Sequence, residues 1–267
     1  MRVDNATFLT LAEEDFTTID IPTNGHDTVR LRQDQGPGED PRVVQAFKMA
    51  TDREAIFERV QLGFGAAGQD TPIGPLYGQY YLDDPGLPPY DPEGAADLLA
   101  EAGYEDGLEM TLSLPAGGDR EALAQALASQ WEEANIFVEL DVVDESTYYS
   151  SNQWLDAELG ITGWGSRPTP QFYLNIAYKT GGEWNETGMS DPELDELIDL
   201  AGSTSDESER TEAYQEIQRI LAERGSAIIP YFFAAYGVYA PGIDGIDLHP
   251  FPGRTNFDQA TVAAASE

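Results

Sequence analysis

The chain has 267 residues, of which 41% are hydrophobic, and 49 acidic against 14 basic residues give it a formal net charge of −35. The apolar content is sufficient for a folded core, whereas the acid excess disfavours nucleic acid and anionic membrane surfaces as partners because both would be repelled. The absence of cysteine excludes disulfides, thiolate metal sites and cysteine nucleophiles.

The first half of the sequence predicts short strands and capped helices. Apolar and polar residues alternate at 16–21 and 28–32, as in strands. Asp40 and Asp91, each followed by proline, predict helices that run to about residues 60 and 103, with Asp52 as a second N-cap within the first of them. A strand at 108–114, a helix at 120–134 and a strand at 136–142 form a βαβ unit, so these two strands should be parallel with a right-handed crossover.

The second half predicts more elements of both kinds. The patterns indicate a helix at 146–155, a strand at 159–163 and helices at 171–178, about 191–201 and 207–223. Residues 227–239 are apolar and β-rich, with an interruption at Pro230, and the tail after residue 261 is expected to be disordered. The fold class is therefore α/β, with a mixed, partly parallel sheet flanked by helices.

The strand at 159–163 leads into the most informative loop of the chain. Trp164 offers a flat apolar face, and Arg167 offers a fork of donors for a carboxylate or phosphate. A second Gly-rich loop and a helix start carry further candidates on neighbouring edges. The predicted ligand-binding residues are Trp164, Gly165, Arg167, Trp184, Asn185 and Tyr148. In the competing interpretation the tryptophans belong to the core and Arg167 is only solvated.

Other motifs carry less information about function. Residues 63–68 match G-x-G-x-x-G, but they follow a helix and lead into a Gly/Pro loop, which is the wrong context for a dinucleotide site. His26 and His249 are the only histidines, and neither lies near a nucleophile-elbow pattern. His249 also has no second ligand at a spacing typical of metal sites. No cofactor or metal is predicted. The 49 acidic residues leave a hydrolase that uses a carboxylate pair open as the alternative function, although no pair is distinguished from surface charge.

Four segments together resemble the extracellular solute-binding proteins of family 5, which serve peptide and nickel ABC transporters. Residues 40–56, with Asp52-Arg53-Glu54, resemble the helix pair of the family, and 90–104 resemble its YdPekAkaLLaEAGY segment. The strand into Gly163-Trp164 resembles the ligand loop. Residues 191–197, 210–221 and 229–231 resemble the closing helices and strand.

The resemblance implies the C-terminal portion of a two-lobed receptor that closes around its ligand and delivers it to a membrane permease. Residues 1–35 would hold strands from the end of the first lobe and the crossover, 36–235 the second lobe, and 236–267 a return strand with an acidic tail. The expected protein is a non-enzymatic, monomeric binding protein at the cell surface, anchored to the membrane through a segment outside this sequence. A half-site should bind solute weakly or not at all.

One position departs from the family pattern. Peptide-binding members place an aspartate three residues after the loop tryptophan, where it pairs with the amino terminus of the peptide, and here that residue is Arg167. The reversed charge favours a small organic solute with a carboxylate, a phosphate or many hydroxyls over an ordinary free-amine peptide.

The acid excess also predicts adaptation to high salt, and with it a haloarchaeal origin. Self-repulsion destabilises a compact chain of this charge at low ionic strength, and salt screens it because the Debye length falls to roughly 3 Å at about 1 M.

Overall fold

The structure is a computed structural model that describes residues 5–14, 16–251 and 253–262. It is an α/β fold in which helices flank one mixed sheet. The α-helices are α1 (Asn5–Glu13), α2 (Pro41–Met49), α3 (Arg53–Ile56), α4 (Pro92–Glu101), α5 (Arg120–Glu132), α6 (Glu145–Ser150), α7 (Gln153–Asp156), α8 (Gln171–Tyr173), α9 (Pro192–Ser203) and α10 (Glu207–Arg224). The strands are β1 (Thr17–Leu31), β2 (Ala66–Ala67), β3 (Leu108–Pro115), β4 (Ile136–Val143), β5 (Leu159–Trp164), β6 (Ala227–Ile228), β7 (Tyr231–Tyr239), β8 (Ile243–Asp244) and β9 (Thr261–Val262).

The main sheet has the strand order β2-β7-β1-β5-β3-β4, and β6 also pairs with β1. Strand β3 runs parallel to both β4 and β5, whereas β1 is antiparallel to β5, β6 and β7. The β3-α5-β4 segment confirms the predicted βαβ unit. The mixed sheet that was predicted is therefore observed, with β5 at the junction between its parallel and antiparallel parts.

Aspartate caps begin most of the long helices, as the sequence predicts. The side chains of Asp40, Asp91 and Asp191 each accept a hydrogen bond from a backbone N–H in the first turn of the helix that follows, and a proline occupies the first helical position in all three. Asp52 caps α3 in the same way and confirms the second N-cap. These caps satisfy backbone donors that would otherwise lack partners, which explains why the starts of these helices were predictable.

Two predicted elements differ from the structure. The strands predicted at 16–21 and 28–32 form one long strand, β1, because residues 22–26 form a bulge rather than a turn. The Thr23 hydroxyl fixes this bulge by donating to the carbonyl oxygen of Phe233 and accepting from the N–H of Gly25. The single helix predicted at 146–155 is two short helices, α6 and α7, because Asn152 adopts a left-handed conformation with φ 59°.

Close backbone packing explains the Gly-rich stretch at 63–68. A Cβ on Gly65 would lie 2.1 Å from the carbonyl oxygen of Phe232, and a Cβ on Gly68 would lie 1.9 Å from that of Ile229. These glycines therefore let the chain lie directly on β7 and on the residues just before it, which accounts for the glycines without a nucleotide.

Most of the buried apolar side chains belong to one of two clusters. One contains Trp131 and residues of α2, α4, α5 and β3, and the other contains Trp164 with residues of α9 and α10. Within the described residues, no helix is both long and apolar enough to span a bilayer. The tail predicted to be disordered after residue 261 begins at Val262, which belongs to β9, and its residues 263–267 lie outside the described part of the chain.

Candidate ligand-binding site

The candidate site lies where β5 ends. Trp164 is the last residue of this strand and pairs with His26 of β1. The loop that follows contains Pro168 and Pro170, which lack the N–H needed to continue the sheet, and it leads into α8. In α/β proteins the carboxyl ends of strands are a common place for ligands, and the loop attached there is held by a rigid scaffold.

A cavity of about 300 Å³ opens at this strand end. Three of the four tryptophans of the chain contribute to its wall. The lining residues are Tyr149, Trp154, Thr162, Gly163, Trp164, Gly165, Arg167 and Trp184. Its volume is at the low end for small-molecule sites, and an aromatic wall with few polar groups suits a small organic ligand.

The four aromatic residues that line the cavity, which we call the aromatic cage, are in serial contact. The ring centroids of Tyr149 and Trp154 are 6.0 Å apart, and those of Trp154 and Trp184 are also 6.0 Å apart, with their planes at 75°. Trp184 lies 5.8 Å from Trp164, with an interplanar angle of 55°. The cage therefore joins residues from α6, α7, the end of β5 and the loop before α9.

A buried carboxylate holds this arrangement together. The Glu186 side chain accepts hydrogen bonds from the indole Nε1 of Trp164 at 2.9 Å and from the hydroxyl of Thr162 at 2.5 Å. The Arg30 guanidinium lies 3.4 Å away and completes a buried ion pair. Burial raises the pKa of Glu186, while Arg30 and the two hydrogen-bond donors act in the opposite direction. Glu186 thereby fixes the orientation of Trp164 and the loop that carries Trp184.

Arg30 extends this support to the third tryptophan. Its side chain is fully buried, and it donates to the carbonyl oxygens of Ala157, at 2.6 Å, and Trp154. The ion pair of Arg30 and Glu186 thus anchors the backbone of Trp154 and the side chain of Trp164 together. Both charges are paired and hydrogen-bonded, as buried charges must be.

Arg167 has free donor capacity at the rim of the cavity. Its guanidinium lies 4.6 Å from the centroid of Phe172, and its own contacts to the carbonyl oxygens of Gly165 and Ser166 are long, at 3.4 Å. Among the described residues, no carboxylate forms a salt bridge with it. A guanidinium in this state can bind an incoming carboxylate or phosphate through a bidentate pair.

Arg120 borders the same strand end but is already paired. Its guanidinium donates to Asp27 at 2.9 Å, and Asp27 also accepts from the hydroxyl of Tyr231 at 3.1 Å. The guanidinium lies directly on Gly163, where an added Cβ would approach it to 2.1 Å. Arg120 therefore shapes the cavity wall through Gly163.

The structure brings four of the six predicted site residues to the cavity, namely Trp164, Gly165, Arg167 and Trp184. Tyr148 is fully buried instead, with its hydroxyl within 3.2 Å of the carbonyl oxygens of Ser113 and Ile161, and burial raises its pKa to about 12. The amide nitrogen of Asn185 donates to the carbonyl oxygens of Lys179 and Met189. This side chain therefore stabilises the loop to which it belongs and does not line the cavity.

Four lining residues are not among the predicted site residues, namely Tyr149, Trp154, Thr162 and Gly163. Tyr149 follows Tyr148, and on a short helix the two faces could not be told apart from the sequence. The sequence predicts one continuous helix around Trp154, and only the left-handed conformation of Asn152 turns this segment toward the cavity. Within the described residues, no group of three His, Asp or Glu side chains is arranged to hold a metal ion.

This geometry is that of an α/β fold with a small open cavity at a strand end. The sequence profile of "Bacterial extracellular solute-binding proteins, family 5 Middle" matches residues 4–185, and the chain belongs to this family. Heme-binding protein A of Haemophilus influenzae is 25% identical over 84% of this chain and 42% of its own length. Di/tripeptide-binding protein 1 of Pseudomonas aeruginosa is 29% identical over 85% of this chain and 43% of its own length.

Solved structures share the fold. The oligopeptide-binding protein AppA of Bacillus subtilis, in complex with a nonapeptide, superposes with a TM-score of 0.82 at 22% identity, covering 98% of this chain and 56% of AppA. NikZ of Campylobacter jejuni, in complex with Ni(L-His), gives 0.81 at 21% identity, covering 92% of this chain and 52% of NikZ. The chain thus spans less than half the length of the first curated relatives it matches.

Proposed function

We propose that this chain forms one ligand-binding lobe of the solute-binding component of an ABC importer and that the cavity at the end of β5 contacts the solute. The observation that carries the proposal is the aromatic cage beside Arg167, a guanidinium without an acidic partner among the described residues. Family membership and relatives that are named as binding proteins support a binding function over catalysis.

The finer parts of this proposal follow from the family resemblance. The chain would be the C-terminal portion of a two-lobed receptor, with 36–235 as the second lobe, and closure of the lobes would present the solute to a membrane permease. It would work outside the cytoplasm as a monomer, anchored to the membrane through another segment. Half the enclosing surface would then be absent here, so calorimetry should find binding weaker than micromolar, and micromolar affinity would contradict the half-site.

The role of Arg167 gives the direct test of the site. In NMR titrations of small carboxylates, Arg167→Ala should lower affinity about tenfold or more, because a charge-assisted hydrogen-bonded pair is lost. Arg219→Ala is the matched control, since Arg219 is an exposed arginine paired with Glu216 on α10. Equal affinities in the wild type and both variants would remove Arg167 from the site.

We also propose that the protein is salt-adapted and of haloarchaeal origin. The support is the net charge of −35, together with only two lysines, of which Lys48 is fully buried. The melting temperature should rise between about 0.1 M and about 3 M salt as screening relieves self-repulsion. Equal melting temperatures in both conditions would contradict this proposal.

A further inference from the structure

The aromatic cage has a composition that favours a particular type of cation. Three indoles and one phenol line a cavity of about 300 Å³, and none of the eight described lining residues is acidic. Aromatic faces attract cations through the ring quadrupole, and tryptophan does so most strongly. A cation in this cavity would therefore be recognised mainly by rings and not by a carboxylate.

The hydrogen bonds of the cage indicate that this cation carries no N–H groups. The hydroxyl of Thr162 already donates to Glu186, and the hydroxyl oxygen of Tyr149 accepts from the N–H of Gly163. A primary ammonium brings three donors that need acceptors, whereas a fully alkylated ammonium brings none. The few acceptors in this lining thus favour the alkylated group.

The buried carboxylate behind the wall strengthens the same preference. The indole N–H of Trp164 donates to Glu186, and this polarises the ring so that its face becomes more negative. At the rim, however, Arg167 would repel a ligand that carried only positive charge. A ligand that satisfies both features needs a carboxylate next to its cation.

We propose that the solute is a small zwitterion in which a quaternary ammonium group occupies the aromatic cage and a carboxylate binds Arg167. This inference rests on the proposed function, since it names the substrate class of the same cavity. It accounts for the cage and the reversed charge at position 167 together. A free-amine peptide would place an ammonium with three donors in the same aromatic lining.

The test is an NMR titration of this chain with trimethylglycine, monitored at the four indole N–H signals and assigned with single Trp→Phe variants. Trp131 serves as an internal reference, because it is fully buried in the other core cluster and donates to Thr51. Up to about 50 mM ligand, which covers millimolar affinities, the signals of Trp154, Trp164 and Trp184 should shift while that of Trp131 stays in place.

Three further probes separate the outcomes. The carbon isostere 3,3-dimethylbutanoate has the same shape and carboxylate without the cation, and choline has the cation without the carboxylate. Each should bind about tenfold more weakly than trimethylglycine, and equal binding of either would overturn the zwitterion. Shifts with dialanine but not trimethylglycine would overturn this inference and leave the proposed function standing. Absence of shifts with all four probes would overturn this inference, whereas the proposed function is tested separately by the titrations of the Arg167→Ala variant.

Discussion

The aromatic cage with Arg167 is one charged region of this chain, and a buried cluster of three charged side chains is a second. The two differ in how many of their polar atoms already have hydrogen-bond or ion-pair partners within the protein. In the second cluster, formed by Lys48, Arg53 and Asp70, Arg53 makes a bidentate pair with Asp70 at 2.8 and 2.5 Å. Asp70 also accepts from the N–H of Ile229 and lies 4.0 Å from the ammonium of Lys48. Every charge in this cluster has its partners inside the protein.

Lys48 shows how this cluster of buried charges stabilises the fold. Its ammonium donates to the carbonyl oxygens of Leu221 and Ala222, both at 2.7 Å, in the last turn of α10. The carbonyl oxygen of Leu221 also accepts from the N–H of Gly225 at the end of the helix. A cation beside these last carbonyls complements the helix dipole. The cluster therefore joins α2, α3, α10 and the residues between β6 and β7. Arg167 beside the cage, in contrast, retains free donors. Charged groups with all their partners inside the protein stabilise the fold, whereas a charged group with free donors is available to a ligand.

The largest expected change in unfolding free energy comes from removing a charge from the cluster of Lys48, Arg53 and Asp70. Asp70→Asn leaves Arg53 and Lys48 without their shared anion, and removal of one partner from a buried ion pair costs about 3–5 kcal/mol of unfolding free energy. Urea denaturation followed by tryptophan fluorescence measures this loss. The control is Asp199→Asn, because Asp199 pairs with Lys179 at the surface and should cost below about 1 kcal/mol. Equal losses in the two variants would contradict the distinction between the regions.

A second prediction concerns His26, which is buried behind the cage between the rings of Tyr173 and Phe232. Burial lowers the pKa of His26 from 6.5 to about 4, so the folded protein keeps this ring neutral where the unfolded chain binds a proton. The stability from the neutral ring is complete above pH 6.5 and is lost as the pH falls to about 4. The gap between the two pKa values corresponds to roughly 3 kcal/mol.

The measurement is the unfolding free energy of the wild type and of His26→Phe between pH 7 and about 4. Many carboxylates titrate in the same range, so the difference between the two proteins isolates the histidine. The wild type should lose more stability than the variant as the pH falls. Parallel curves would show that His26 titrates equally in the folded and unfolded states.

The sequence predicted the scaffold better than the site. Aspartate-proline pairs predict where the helices begin. Alternating apolar and polar residues on either side of α5 predict the parallel strands β3 and β4. Both signals are local in the sequence. Which of Tyr148 and Tyr149 faces the cavity depends on the orientation of a six-residue helix, and the role of Trp154 depends on the single left-handed residue Asn152. Such details depend on packing against residues that are distant in the sequence, and local sequence patterns carry no information about that packing.

Glu186 was beyond prediction for a different reason. The chain has 49 acidic residues, and nothing in its neighbourhood in the sequence marks this one as buried. Its exposure is 2%, whereas Glu183 on the same loop is exposed. Only the approach of Arg30 from β1 and Trp164 from β5 creates the site for its charge. In a protein this acidic, a functional carboxylate is identified by its donors in three dimensions.

The smallest expected effect tests whether Glu186 holds the cage as an ionised acceptor. Two hydrogen-bond donors, from Trp164 and Thr162, converge on it, and the Arg30 guanidinium forms an ion pair with it. Glu186→Gln keeps the shape but directs an amide N–H at one of these donors. Burial already raises the pKa of Glu186. Arg30 lies 3.4 Å away from it, whereas Arg53 and Asp70 form a bidentate pair. We therefore expect a smaller loss than for Asp70→Asn, about 1–3 kcal/mol of unfolding free energy. The indole N–H signal of Trp164 should move at the same time, since its acceptor loses charge, while that of Trp131 stays in place. Glu183→Gln should change neither quantity, and a Glu186→Gln variant that matched it in both would show that no carboxylate charge supports the cage.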